Sequence, residues 1–208
     1  QPRTWYAGSG ATLFRSLNDG HGWEIAGRFP DGQIELVRTH PERPGLLAIA
    51  VQLPGGESSR IHISMDCGES WETTAYTTAF EVKDMTWIMR EDVPALLLAT
   101  DLGLYELQVG GSPVQVLVDP QDQDRGFYAV VASKDIRGQI SVAAAAQATG
   151  GVYLSSEEGR SNTFRLTGLQ GEDIRELAVQ YDGPRSFLWA GAAAAGGEAG
   201  KGCFRWEL

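Results

Sequence analysis

The sequence is poor in the residues that staple small folds or hold metals. Its 208 residues include two cysteines, Cys67 and Cys203. They have no metal-ligand spacing, and two cannot build a disulfide framework, so the redox compartment and the localisation stay open. Three histidines, His21, His40 and His62, have no i, i+4 partner and no cysteine neighbour, so no metal is expected. Long apolar runs are lacking. The longest, residues 46–51 and 190–195, fall far short of the ~18–20 residues of a membrane helix, and no membrane insertion is expected. There is no basic n-region leading into an apolar core, and residue 1 is Gln, from which we expect a chain that was processed or cut from a longer one. Positive charge is scarce. Lysine occurs only at 83, 134 and 201, and the formal net charge is −10. Such a chain repels phosphate backbones and anionic lipid, which disfavours nucleic-acid and membrane-surface binding. No sustained helical period with caps occurs, and neither a nucleophile elbow nor a phosphate-cradling loop is present.

What is present is a β-type repeat. Hydrophobic residues make up 42% and charged residues 21%, and a chain of this length buries about 70% of its surface. The 26 glycines are scattered, which points to many tight turns. A five-residue pattern of small or polar, apolar, then aromatic residues begins at 12, 60, 103, 151 and 202, with His62 in one aromatic slot. A period in the forties is that of propeller blades. Each repeat reads as four short strands. The first strands are 34–38, 82–88, 128–132 and 174–180. The second are 5–8, 46–51, 95–100, 140–146 and 187–192. The recurring pattern is the third, and the fourth are 23–26, 71–74, 114–118 and 163–166. The second strands are continuous apolar runs without alternation, as expected of strands covered on both faces. The Ala-rich stretches 143–146 and 192–195 are read as strand because they recur in phase.

Residues Ser64-Met65-Asp66-Cys67-Gly68-Glu69-Ser70-Trp71 fit S-x-D-x-G-x-[ST]-W. This resembles the Asp-box, or BNR, repeat of sialidase-like β-propellers, within the broader WD40/YVTN/BNR-like group. The chemistry suits a turn: the Asp66 carboxylate accepts from backbone amides, Gly68 tolerates a left-handed backbone, and Trp71 covers the turn. Residues 16–23 keep the Ser, a Gly and the Trp, with the acid displaced by one position. Residues 155–161 keep the Gly and Ser with Glu in place of Asp, and the third repeat has only Gly110-Gly111-Ser112. The resemblance implies that Ser64, Asp66, Gly68, Ser70 and Trp71 form a structural turn away from the central funnel.

The resemblance also says where chemistry would lie. Sialidase-like enzymes need an Arg cluster, an acid/base Asp and a Tyr–Glu pair at the funnel mouth. Their F/Y-R-I-P signature is absent; Phe164-Arg165-Leu166-Thr167 is the nearest sequence and lacks the Pro. Xyloglucanase-like propellers use two Asp across a cleft, and a working pair sits ~5–10 Å apart. The loops joining second to third strands, and fourth to first, should face the funnel. Their acids are Asp31, Glu57, Asp101, Asp122, Asp124, Glu172, Asp173 and Glu198. Residues 119–126 hold three carboxylates and a Gly, but Pro120 breaks the register of a calcium loop. Trp5, Trp87 and Trp189 are expected between sheets, and Trp87 or Tyr76 open to the funnel would make a sugar-stacking platform.

The expected fold is all-β, a β-propeller of four-stranded antiparallel blades with about four and a half blades in view, part of a propeller of six to eight. Residues 1–29 form a partial blade, 30–75, 76–119 and 120–169 are blades, and 170–208 form a second partial one. The expected function is a non-catalytic recognition or scaffold module without cofactor, binding a protein or glycan through the funnel face. The alternative is a glycoside hydrolase with part of its site outside this segment. Further blades or a partner chain are expected to close the ring.

Overall fold

The computed structural model describes residues 3–71, 76–194 and 200–208. Every regular element among them is a β-strand, and the strands form five antiparallel sheets. The chain divides into two compact units, residues 1–82 and 83–208.

The first unit holds two sheets. The first sheet runs β1 (Trp5–Ser9), β2 (Thr12–Ser16), β3 (Glu24–Arg28). The second runs β4 (Gln33–Thr39), β5 (Leu47–Gln52), β6 (Ser59–Ser64), β7 (Tyr76–Thr77). The expected fourth strand at 71–74 differs: Trp71 is not in a strand, 72–74 lie outside the described residues, and Tyr76 and Thr77 pair with Ile61 and Arg60. Between the sheets, Leu47, Ile49 and Val51 pack on Leu13 and Phe29, flanked by Tyr6, Ile34 and Trp71. Each such side chain, fully buried, contributes about 1.5–3 kcal/mol.

The second unit holds three sheets. They are β8 (Val82–Arg90) to β11 (Val114–Val116) through β9 (Val93–Thr100) and β10 (Gly103–Gln108); β12 (Phe127–Lys134), β13 (Ile140–Ala146), β14 (Val152–Ser155), β15 (Arg165–Gly168); and β16 (Asp173–Asp182), β17 (Arg185–Ala193), β18 (Gly202–Glu207). Each is an up-and-down meander in sequence order, the unit of a propeller blade. Sheets three and four share a core of Ile88, Leu97, Leu104, Val130, Val142 and Phe164. Sheets four and five share one of Ala143, Ala145, Val152, Leu177, Leu188 and Ala190. Burial on both faces explains the unbroken apolar second strands. Small alanines at 143–146 let the neighbouring sheets approach, and this stretch is strand throughout. Of the other Ala-rich stretch, Ala192 and Ala193 are strand and 195 lies outside the described residues. Trp87 is buried, so it does not open as a platform; the side chain of Tyr76 lies outside the described residues. Trp5 is 49% exposed rather than packed between sheets.

The turn at 64–71 is built as its residue types require. Ser64 Oγ donates to Asp66 Oδ1 at 2.8 Å and accepts from Gly68 N at 2.8 Å. Asp66 accepts from Ser70 N at 2.8 Å and from Ser70 Oγ at 2.5 Å. Cys67 and Gly68 both take positive φ, 62° and 84°. The turn also docks on the first sheet: Trp71 Nε1 donates to the Ala26 carbonyl at 3.1 Å, and its ring meets Phe29 edge-on.

The turn at 16–23 repeats this bonding with Asn18 in the place of Asp66. Ser16 Oγ donates to Asn18 Oδ1 at 2.9 Å and accepts from Gly20 N, and Asn18 Oδ1 accepts from Gly22 N at 2.8 Å. Asp19 (φ 56°) and Gly20 (φ 86°) match Cys67 and Gly68. The expected displaced acid, Asp19, is therefore not the organising residue; an amide oxygen is. At 155–163 the backbone frame persists, with Glu157 N and Gly159 N donating to Ser155 Oγ, which pairs with Thr163 Oγ1 at 2.6 Å.

Candidate functional site

In a meander, the loops joining second to third strands and fourth to first lie at one end of the sheet. Among the described residues, Asp31, Glu57, Asp101, Asp122, Asp124 and Glu172 occupy those loops, and Asp173 opens β16. Asp101 and Leu102 form a two-residue turn between β9 and β10, closed by Thr100 Oγ1 donating to the Gly103 carbonyl at 2.8 Å. The connection from the third sheet to the fourth passes over this turn. Only glycine fits at 126, because a Cβ there would lie 2.6 Å from the Asp101 carbonyl. Burial, followed by the charges of Asp124 and Asp101, pushes the hydroxyl of Tyr105 on β10 above its ordinary pKa.

The same connection is organised around Arg125. Its guanidinium holds Asp122 at 2.6 Å and donates to Tyr153 Oη at 3.1 Å, and Tyr153 Oη donates to Asp119 Oδ2 at 3.1 Å. Asp119 Oδ1 accepts from Gln121 N at 3.0 Å. The three carboxylates of the stretch thus go to different partners: a guanidinium, a phenol with a backbone amide, and the neighbourhood of Tyr105. Among the described residues no group of three His, Cys, Asp or Glu side chains is placed to hold a metal ion.

Other candidate acids are bound within their own sheets. Asp173 is buried and held by Arg175 at 2.9 Å through both Nε and Nη2. Glu172 pairs with Lys201, and in the first unit Asp31 pairs with Arg60. Glu57 is exposed, and Glu198 lies outside the described residues.

Two residues that sequence reasoning did not single out belong to this end of the sheets. The ladders of the fourth and fifth sheets slip by one residue at the start of their first strands, leaving Tyr128 and Arg175 as the extra residues. A β-bulge re-aims its side chain. Here the Arg175 guanidinium lies 3.8 Å from the centre of the Tyr128 ring, so bulge residues of successive sheets stack. Arg175 is pinned on one side by Asp173 and on the other by an aromatic face, which fixes a planar, charged fork in advance. The second sheet carries the same slip at Glu35. A polar residue interrupting an apolar first strand was the available signal.

No family model matches this chain, and no curated protein matches it. Solved structures do. An ancestral GH74 enzyme is similar over all of this chain and 28% of its own, at 16% identity and a TM-score of 0.68. The Niastella koreensis GH74 enzyme is similar over 98% of this chain and 33% of its own, also at 16% identity and 0.68. A Trypanosoma rangeli sialidase, solved as a covalent intermediate with 2,3-difluorosialic acid, covers 94% of this chain and 36% of its own, at 10% identity and 0.50. The chain therefore spans 28–36% of these three proteins, and the likeness is one of fold: blades of a β-propeller.

Proposed function

We propose that this chain is a propeller segment of Asp-box, or BNR, type whose loop end recognises a protein or glycan without transforming it. The bonding within the turns at 16–23 and 64–71 supports the Asp-box assignment. The recognition reading is carried by the Tyr128–Arg175 stack. A guanidinium held by Asp173 against an aromatic face is preorganised to meet a carboxylate or a sugar ring, with little entropy left to lose on binding. In addition, Asp122, Glu172 and Asp173 already hold basic side chains. Carboxylate oxygens so engaged are taken up by ion pairs within the fold.

The test is to titrate the chain with neutral and sialylated oligosaccharides while assaying chromogenic glycosides. Arg175→Ala and Tyr128→Ala are expected each to weaken binding about 10- to 100-fold, the range of a hot-spot residue, with no turnover in any form.

A second reading, glycoside hydrolysis, is favoured by one observation: the connection that carries Asp124 packs on the Asp101 turn, where a Cβ at Gly126 would lie 2.6 Å from the Asp101 carbonyl. Turnover that disappears in Asp101→Asn or Asp124→Asn would establish that reading and overturn the first.

A further inference from the structure

At the end of the sheets away from the candidate loops, the third sheet and the turn at 155–163 enclose a cleft of about 610 Å³. Its walls are successive sheets from the middle of the chain, both within the second unit. The way this joint is closed makes the space. In the first unit the indole of Trp71 bonds the Ala26 carbonyl of β3, the outermost strand of the first sheet. In the second unit backbone and a hydroxyl take that part. Asn162 N donates to the Leu117 carbonyl at 2.7 Å, and Leu117 N donates to Ser161 Oγ at 3.1 Å. Phe164, the next aromatic along the chain, goes into the core. Small groups in place of an indole leave room beside β11.

The charges in the cleft cancel except for one. Buried Arg90 donates through Nε to Glu106 Oε2 at 2.8 Å, and Gln108 Nε2 donates to Glu106 Oε1 at 3.5 Å. Arg160 holds Glu158 at 2.9 Å. Glu91 also lines the cleft; it is exposed and has no hydrogen-bond or ion-pair partner among the described residues. Its backbone is strained into place. Glu91 (φ 49°) and Asp92 (φ 67°) make the two-residue turn between β8 and β9, where asparagine and glycine are the ordinary choice. Strained non-glycine backbone of this kind clusters at functional sites.

The rest of the lining suits a peptide. Val93 and Val114, 45% and 66% exposed, give it an aliphatic face. Among the described residues no aromatic ring lines it, so it has no stacking face for a sugar. Leu117 turns both its N–H and its C=O away from β10, toward the turn at 155–163. Backbone groups alternate along an antiparallel strand, so Gln115, two residues earlier, presents its own N–H and C=O on that same outer edge. The Gln115 side chain is turned to the Gln123 carbonyl at 2.8 Å, which leaves its main chain to line the cleft. From β11 to the β8–β9 turn is three strand spacings, about 14 Å, the length of about four extended residues.

We propose that this cleft binds a short extended segment of a partner protein that carries a basic side chain. The main chain of the segment pairs with the N–H and C=O of Gln115 at the sheet edge. An aliphatic side chain lies on Val93 and Val114, and a Lys or Arg at the far end meets Glu91. Pro113 is the next residue whose backbone faces that edge, and it has no N–H. Pairing therefore stops at Gln115, and the segment crosses the end of the sheet instead of adding a strand to it. The net charge of −10 draws a basic partner toward the chain.

Fluorescence anisotropy with the full chain tests this. The probes are labelled, end-capped tetrapeptides, Arg-Ala-Val-Ala and Ala-Val-Ala-Arg, which cover both chain directions, and the same two with Glu in place of Arg. At least one Arg peptide is expected to bind saturably, and its Glu counterpart at least about 10-fold more weakly, the factor a charge-assisted hydrogen bond carries. Methylating the backbone nitrogens of the bound peptide should weaken it by a similar factor. Glu91→Lys should reverse the preference, so that the Glu peptide binds better, and Val114→Arg should remove binding of the Arg peptide. Both positions are exposed, and circular dichroism checks that the variants stay folded. If Glu91→Lys does not, Glu91→Gln replaces it and should erase the preference. Failure of both Arg peptides to bind would overturn the proposal. So would a preference for Arg that survives the change at Glu91, or a backbone-methylated peptide that binds as well as its parent. Displacement of the peptide by a neutral glucan tetrasaccharide would assign the cleft to glycans instead.

Discussion

Arg15 Nη1 donates to the carbonyl oxygen of Cys67 at 2.9 Å, so a buried guanidinium of the first sheet holds the backbone of the second sheet's turn. The remaining guanidinium nitrogens, Nε and Nη2, hold Glu24 on the adjoining strand at 2.9 and 2.5 Å. The third and fourth sheets are joined in the same way. Arg90 Nη1 donates to the Glu158 carbonyl at 2.7 Å, and Nε donates to Glu106 at 2.8 Å. Cys67 and Glu158 occupy the same place, the positive-φ residue before the turn's glycine. A planar fork offers N–H groups on separate nitrogens to a carboxylate and a carbonyl together; a lysine's three donors all leave one nitrogen.

Arg15→Ala is accordingly expected to destabilise the fold by about 1–3 kcal/mol, the loss when a buried acceptor gives up a charged donor. Arg15→Lys should recover only part of it, because a single nitrogen replaces the three that hold Glu24 and the Cys67 carbonyl. Midpoints of urea unfolding for the three forms check this. A lysine form equal to wild type would show that charge alone, not the fork, matters.

Hydrogen bonds from Ser70 and Ser64 hold the Asp66 carboxyl down to about 2. Its folded pKa lies below the ordinary value near ~4, so its stabilising effect is complete above that value. It is lost as pH falls through the folded pKa. Wild type should therefore exceed Asp66→Asn in stability at neutral pH, with the difference closing between pH 4 and 2. Asp66→Asn should also be milder than Asp66→Ala, because Asn18 already fills the equivalent slot and its Oδ1 accepts the equivalent bonds. Unfolding midpoints of the three forms measured across that pH range decide it.

Asn18 also marks how far the sequence could be read. The repeat, its strands and the turn at 64–71 were legible because apolar runs and turn residues report local backbone needs. At 16–23 a carboxylate was sought, whereas the turn needs only an acceptor oxygen two residues after the serine; Asn18 supplies one and Asp19 does not. The fates of the candidate acids were not legible. Glu172 meets Lys201, and Asp31 meets Arg60, across 29 residues in each case, and only strand register brings them together. Tyr128 and Arg175 were hidden for a related reason: a polar residue interrupting an apolar first strand marks a possible slip, but only the register of the partner strand shows that the ladder skips it.

Asp84 joins the third and fourth sheets from a buried position on β8. Its Oδ2 accepts from Val130 N at 3.0 Å and its Oδ1 from Met85 N at 2.8 Å. Asp84→Ala leaves the amide of Val130, a residue 1% exposed, without this acceptor, and is expected to lose about 1–3 kcal/mol. Asp84→Asn offers one oxygen in place of two and should fall between. Hydrogen exchange at Val130 distinguishes this from a general loss of stability: the amide should exchange faster in Asp84→Ala relative to its neighbours on β12.

His62 occupies the slot that Phe14 fills in the first sheet, and its ring lies 4.7 Å from that of Phe29. Burial against that aromatic surface, with the charge of Arg60 nearby, pushes the imidazole down to about 4. The folded state keeps it neutral while the unfolded chain protonates near the ordinary value of ~6.5. Between those values the unfolded state binds the extra proton, so stability is full above about pH 6.5 and falls as pH drops toward 4. His62→Phe removes the titration and restores the aromatic of the repeat. Its thermal midpoint should stay flatter than that of wild type from pH 6.5 to 4, and the two curves should run parallel above neutrality. Equal acid slopes would mean that the ring is solvated in the folded state, and that the Phe29 contact does not exclude water from it.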